Sequence, residues 1–235
     1  MDLLPPDLFS PYDEHTQPQV PIEHYANTVT RNPRRAPFRR PVTRTELTGP
    51  LDLTGKLRPG DINLSVVDGK PAQGQLIWVS GRILDEDGRG VPGAIVEMWQ
   101  ANAAGRYFNP LDQRDAPLDP NFIGNGRCQA DAEGRYGFFS IKPGAYPVPN
   151  SNRWWRPPHI HFSILGPSSL SRLVTQMYFP GEPLNAHDLL ILSIADREAQ
   201  QRLISQPVPT QEVDGEWLAF QHDMVVRGRH ATPPL

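Results

Sequence analysis

His159 and His161 stand at i and i+2 in Arg156-Pro157-Pro158-His159-Ile160-His161-Phe162-Ser163-Ile164 and have the clearest capacity for chemistry in this chain. On a pleated strand such residues point the same way and lie roughly 6.5–7 Å apart, so both rings can reach one metal ion. Ile160, Phe162 and Ile164 take the alternate positions and supply an apolar face that would hold the strand rigid. The spacing alone equally fits two polar side chains on a solvated strand. A metal centre needs more ligands, and the chain narrows the choice. Cys128 is the only cysteine, no His-Glu-x-x-His occurs, and Ser163-Ile164-Leu165-Gly166-Pro167 carries no carboxylate. The polar side chains left nearby are phenols.

Tyr146 lies in the turn-rich stretch Lys142-Pro143-Gly144-Ala145-Tyr146-Pro147, and the following proline biases it towards an extended backbone. A phenol has a pKa of about 10 and ligates well only as phenolate. Two phenolates beside two imidazoles would therefore call for a hard, strongly Lewis-acidic ion, ferric iron rather than zinc or ferrous iron. For Tyr12, Tyr25, Tyr136 and Tyr178 the plainer reading is a core or rim aromatic with a bonded hydroxyl. Spacing does not select the second phenol.

Val79-Ser80-Gly81-Arg82-Ile83, then Gly88, Val91, Val96-Glu97-Met98 and Gly105-Arg106-Tyr107 resemble the signature of intradiol ring-cleavage dioxygenases, which ends on an iron-ligand tyrosine. Leu118-Asp119-Pro120-Asn121-Phe122, Gly126-Arg127-Cys128, Ile141-Lys142-Pro143-Gly144, Trp155-Arg156-Pro157 with the His-x-His segment, and Val226-Arg227-Gly228-Arg229 extend the likeness, which is strongest to protocatechuate-type beta (iron-binding) subunits. The resemblance covers most of the chain beyond about residue 75. It implies a non-haem Fe(III) site with Tyr107, Tyr146, His159 and His161 as ligands, Tyr146 and His161 axial, Tyr107 and His159 equatorial, and a hydroxide completing the shell. It also implies Arg156 and Gln176 beside the substrate, a catechol and O2 as reactants, and a homologous alpha subunit as partner.

That ligand set is consistent electrostatically: Fe(III) with two phenolates and one hydroxide is formally neutral and can be buried without an unpaired charge. On the resemblance, Tyr146 leaves as an internal base when the catechol binds, and Arg156 stabilises negative charge on the ring. Val148 stands where such subunits commonly have tryptophan, Phe108 where a basic residue is usual, and Trp154 doubles Trp155. These departures flank the expected ligands and bear on the ring substituent.

The elements that must position these residues read as strands. Alternating or apolar runs at Leu76–Leu84, Ala94–Gln100, Arg135–Ile141, His159–Leu165, Leu173–Tyr178 and Trp217–Val226 are separated by turn signals such as Asp87-Gly88 and Glu133-Gly134. One helix is expected over Asp196–Ile204, with Ser193 forming a capping box. The predicted fold is an all-β sandwich with long loops, one or two short helices and an extended N-terminal arm. We divide the chain into that arm, residues 1–50, packed on a partner subunit, and a catalytic domain, residues 51–235. The arm is Pro-rich, carries Arg31, Arg34, Arg35, Arg39, Arg40 and Arg44, and shows no amphipathic period.

With 27 prolines and 19 glycines among 235 residues, long helices are disfavoured. A net charge of −3 carries no message about nucleic acid or membranes, and we expect neither as a partner. No apolar run approaches the roughly 20 residues that span a bilayer. The lone cysteine and a start without a basic, apolar leader fit a reducing, cytoplasmic setting. Two other classes fit parts of the pattern: a zinc hydrolase using His159 and His161 with Glu97 or Asp188, and a non-catalytic β-sandwich scaffold.

Overall fold

The computed structural model describes residues 13–19, 22, 25, 35, 43–47, 54–149, 151, 154–168, 171–209 and 216–235. Tyr12 and most of the expected arm, including Arg31, Arg34, Arg39 and Arg40, lie outside the described residues. Where the early chain is described, residues 13–19 lie against this chain's own segment 193–196. The Gln19 amide donates to the Ser193 carbonyl (2.7 Å) and the Asp196 amide to the His15 carbonyl (3.1 Å).

Among the described residues thirteen strands follow: β1 (Val66–Val67), β2 (Lys70–Pro71), β3 (Leu76–Leu84), β4 (Ile95–Trp99), β5 (Asn125–Gln129), β6 (Arg135–Ile141), β7 (Tyr146–Pro147), β8 (Trp155–Arg156), β9 (His159–Leu165), β10 (Arg172–Tyr178), β11 (Gln206–Val208), β12 (Leu218–Gln221) and β13 (Met224–Val225). Two sheets form the sandwich. One has the order β10-β9-β4-β5; in the other β3 is flanked on one edge by β6 and on the other by β12 and β13, with β11 outside β12. In β3, Ile77, Val79, Gly81 and Ile83 are buried and their neighbours less so, as a half-buried strand requires. Ile77, Val79 and Phe138 meet Val96, Met98, Ile160, Phe162, Ile164 and Met177 in one core cluster. Phe138 and Phe162 touch across it edge to face, with centroids 6.0 Å apart. This contact between sheets anchors β9 from its apolar side and leaves the opposite face for His159 and His161. Among the described residues no helix is long and apolar enough to cross a membrane.

The predicted strands are present, but Trp217–Val226 is interrupted. At His222 and Asp223 side chains break into the ladder: the His222 amide still donates to the Ser80 carbonyl (2.8 Å), but the Tyr136 hydroxyl donates to the His222 carbonyl (2.7 Å) and the Arg82 amide to the Asp223 carboxylate (2.9 Å). The expected helix is shorter, α2 at Arg197–Gln201, because Ile204 is drawn into a bridge with Tyr178. Its cap is Asp196, which accepts from the Glu198 and Ala199 amides; Ser193 instead closes a preceding helix, α1 (Leu189–Leu192), by donating to the Leu190 carbonyl. Leu189-Leu190-Ile191-Leu192 is apolar throughout and gives no period from which to read a helix.

Gly81 lies where the β12–β13 link crosses β3. A β-carbon there would stand 1.9 Å from the His222 carbonyl oxygen, and backbone on both sides prevents relief. Gly81→Ala is expected to lower stability by about 3 kcal/mol or more, read as a shift in the urea midpoint. A midpoint within error of wild type would show that this crossing can yield.

Candidate functional site

Sheet register assembles one wall of the site. In β10-β9-β4, His161 lies opposite Gln176 on one side and Trp99 on the other, and His159 lies opposite Tyr178. The His161 ring stacks on Trp99, with centroids 4.8 Å apart and planes 3° from parallel. The His159 Nδ1 lies 2.7 Å from the Pro157 carbonyl. That oxygen can only accept, so Nδ1 carries the proton and the Nε2 lone pair faces inward.

Two loops bring the phenols. Asn102 shapes the first: its side chain accepts from the Ala104 and Arg106 amides (3.0 and 2.9 Å), and the Tyr107 amide donates to Asp112 (2.9 Å). The Asn102 carbonyl also accepts from Gly144 in the second loop (2.9 Å). The loops meet where side chains would not fit. A β-carbon on Gly105 would lie 2.3 Å from the Ala145 carbonyl oxygen, and one on Gly144 would lie 2.4 Å from that of Ala103. Tyr146 begins β7 and pairs with Arg156 in β8.

The outcome is a closed ring of four donor atoms. Tyr107 Oη lies 2.9 Å from His161 Nε2, the two Nε2 atoms are 3.2 Å apart, His159 Nε2 is 3.3 Å from Tyr146 Oη, and the two phenol oxygens are 3.4 Å apart. A small transition-metal ion with N and O bonds of about 2.0–2.1 Å separates neighbouring donors by about 2.9–3.4 Å. The donor set and its spacing fit such an ion. Among the described residues no group of three or more His, Cys, Asp or Glu gathers that could hold one. Glu97 is engaged by Arg127 and Ser163 (2.8 and 2.9 Å), and Asp188 by Arg156; neither joins the two histidines as a zinc hydrolase would require.

Burial is the main influence on all four groups. It pushes the Tyr107 phenol well above its ordinary value, with Tyr146 adding to the effect, and raises Tyr146 against the opposing pull of the Arg156 and Arg114 cations. It holds His159 well below the usual imidazole range and His161 at about 3, with Arg156 reinforcing both. The rings are thus neutral bases with lone pairs available. The phenols need a strong Lewis acid to lose their protons.

Arg156 and Gln176, expected beside the substrate, are 4% and 3% exposed and directly bonded through Arg156 Nη2 and Gln176 Oε1. The same Nη2 donates to Tyr178 (2.9 Å), and Nε donates to the fully buried Asp188 (2.6 Å). Removing either charge of this pair would leave the other unpaired, a cost of about 3–5 kcal/mol.

Sequence reasoning did not identify Trp99, Asp112 or Arg114 as parts of the site. Arg114 lies 4.1 Å from the Tyr146 ring centroid and bonds Asp112. Burial opposes the Asp112 charge, but hydrogen bonds from Arg114 and the Tyr107 amide hold it at about 2. No spacing marks these residues; loop closure brings Asp112 and Arg114 to the site, and strand register brings Trp99. Tyr178, read as a core aromatic, is one with its hydroxyl bonded to Gln176 (3.0 Å). Of the departures near the ligands, Phe108 is 61% exposed, whereas Trp154 is buried in a cluster that includes Val148.

Residues 54–228 match the dioxygenase family, and the chain belongs to it, as an enzyme of the intradiol type. It is 46% identical to the protocatechuate 3,4-dioxygenase beta chain of Burkholderia cepacia over 97% of both chains. It is 30% identical to the hydroxyquinol 1,2-dioxygenase of Rhizobium sp. (strain MTP-10005) over 68% of this chain, spanning 56% of that longer protein. Among solved structures, 3-chlorocatechol 1,2-dioxygenase from Rhodococcus opacus 1CP shares the fold, with a TM-score of 0.54 and 21% identity over 77% of this chain and 71% of that one. The family generally uses non-haem Fe(III).

The electrostatics predict the state of the metal-stripped protein. Because the folded pKa values of His159 and His161 lie below the unfolded value of about 6.5, the stability they favour is present above that pH and is lost as pH falls towards the folded values. At pH 5.5, long-range 1H–15N spectra should show both rings neutral, with His159 as the Nδ1–H tautomer. Imidazolium signals from either ring at that pH would contradict the burial account.

Proposed function

We propose that this chain is the iron-binding, beta-type subunit of an intradiol dioxygenase that cleaves 3,4-dihydroxybenzoate between its two hydroxylated carbons with O2, giving 3-carboxy-cis,cis-muconate. The observation that carries this reading is the four-donor ring of Tyr107, Tyr146, His159 and His161. The near full-length similarity to a protocatechuate 3,4-dioxygenase beta chain supports the substrate and a homologous alpha subunit as partner. We retain the division into an N-terminal arm, 1–50, and a catalytic domain, 51–235.

Tyr107, Tyr146, His159 and His161 would hold ferric iron. When bound there it supplies a Lewis acid that draws both oxygens of a catechol to the site and makes the ring reactive towards O2. The chain's own groups do the rest. Tyr146, as phenolate, takes one proton from the incoming catechol at its Oη and becomes a neutral phenol, which burial already favours. Tyr107 remains as the second phenolate and keeps the charge of the pocket balanced. Arg156, fixed through Nε and Nη2, has Nη1 without a protein partner among the described residues and offers it to negative charge on the ring. Trp154, whose ring centroid lies 5.8 Å from the guanidinium carbon, packs with Leu190 and Ile22 and gives that side of Arg156 an apolar neighbour. Val148, Phe108 and Trp154 favour a second reading within the same chemistry, a differently substituted catechol.

Three outcomes are expected. Cleavage of 3,4-dihydroxybenzoate under 18O2 should place both labelled atoms in the product by mass spectrometry; no oxygen uptake with that compound or any other catechol would remove the proposal. Arg156→Lys keeps the charge but loses the planar fork, and should lower kcat at least tenfold, about 1.4 kcal/mol, while iron and colour persist. Unchanged kcat would take Arg156 out of the reaction. Tyr146→Phe should retain iron with a weakened visible band and bind 3,4-dihydroxybenzoate anaerobically much more slowly in stopped flow. Wild-type binding rates would leave Tyr146 without a role as base.

A further inference from the structure

Asp188 is fully buried and both of its carboxylate oxygens are committed in different directions. Oδ2 accepts from Arg156 Nε at 2.6 Å, while Oδ1 accepts from the Leu190 and Ile191 amides at 2.9 and 3.1 Å, capping α1. Leu190, in the first turn of that helix, packs with Ile22 and Trp154, against which Val148 and Tyr25 also lie. One carboxylate therefore ties the guanidinium beside the four-donor ring to the apolar wall next to it.

The guanidinium has no freedom to be elsewhere. Its Nη2 edge is held by Gln176 and Tyr178, its Nε edge by Asp188, and its carbon sits 5.8 Å from the Trp154 ring centroid. Gln176 and Tyr178 offer neutral acceptors from β10. Among the described residues Asp188 is the one anion in contact with the guanidinium, and it meets Nε, the nitrogen whose direction sets the rotation of the whole planar group. With Nε fixed towards Asp188 and Nη2 towards β10, planarity leaves Nη1 a single direction.

We infer that Asp188 is a positioning residue for the dioxygenase reaction: by bonding Nε while capping α1, it fixes the direction in which Arg156 presents Nη1 to the substrate ring. This rests on the function proposed above. The Asp188 carboxylate bonds Arg156 and the α1 amides and none of the four donors, so its contribution passes through Arg156.

That dependence sets the test, done on the iron-loaded enzyme with its partner subunit. Asp188→Asn keeps an oxygen for the α1 cap and removes the charge; Asp188→Ser keeps a capping hydroxyl and serves if the first variant folds poorly. The variant should retain iron and the visible band, bind 3,4-dihydroxybenzoate anaerobically within about threefold of wild type, and show kcat lowered at least tenfold. In an Arg156→Gln background the same change should lower kcat no further, since coupled residues are not additive. A wild-type kcat per iron with only a lowered Tm, or kcat losses that multiply in the double variant, would overturn the assignment. So would loss of fold in both variants, which would make Asp188 a purely structural cap. Failure of the wild-type enzyme to cleave any catechol would instead strike the proposed function itself.

Discussion

Four donor atoms drawn into one closed ring constrain everything else in this molecule. Two imidazole nitrogens 3.2 Å apart can each accept from one phenol hydroxyl, which leaves the two nitrogens facing each other with no proton between them. The His159 Nδ1–H is already engaged as donor to the Pro157 carbonyl. Lone pairs held face to face repel, and a cation at the centre of the ring would turn that repulsion into attraction for all four donors. Burial that depresses both imidazoles and raises both phenols disfavours charge only while no cation is present.

Much of the fold serves to hold that ring closed. The β9 strand presents both histidines on one face because Ile160, Phe162 and Ile164 fill the core on the other. The phenols come from loops that can approach each other only because Gly105 and Gly144 lack side chains, and Asn102 bonds to both loops. Arg156 enters opposite Tyr146 on a two-residue strand, with its charge balanced by Asp188. Rigid sheet elements carry the imidazoles, while the phenols come from the Asn102 loop and from the turn that leads into β7, an arrangement in keeping with the proposal that Tyr146 acts as a base between fixed histidines.

The sequence made some of this legible and concealed the rest for identifiable reasons. Period-two alternation located β3, β6, β9 and β10 closely, since each buries one face more than the other. The strand at Trp217–Val226 failed to continue because the Tyr136 hydroxyl and the Arg82 amide, both distant in sequence, take over at His222 and Asp223. Short α1 carries no amphipathic signal, and β7, β8 and β11 are too brief to show alternation. His159 and His161 were readable from spacing, whereas the pairing of Tyr107 with Tyr146 came only from resemblance to a family. Arg114, Asp112 and Trp99 gave no sign at all, because their proximity to the ring is created by loop closure and strand register rather than by any local pattern.

Metal analysis joined to visible absorption of the aerobically purified protein tests the central claim most directly. Two phenolates and two imidazoles around a ferric ion should give about one iron per chain and a broad red-brown band from phenolate-to-iron charge transfer, and that band should be lost when Tyr107 and Tyr146 are both replaced by phenylalanine. A colourless protein carrying stoichiometric zinc, or a band that survives loss of both phenols, would contradict the account.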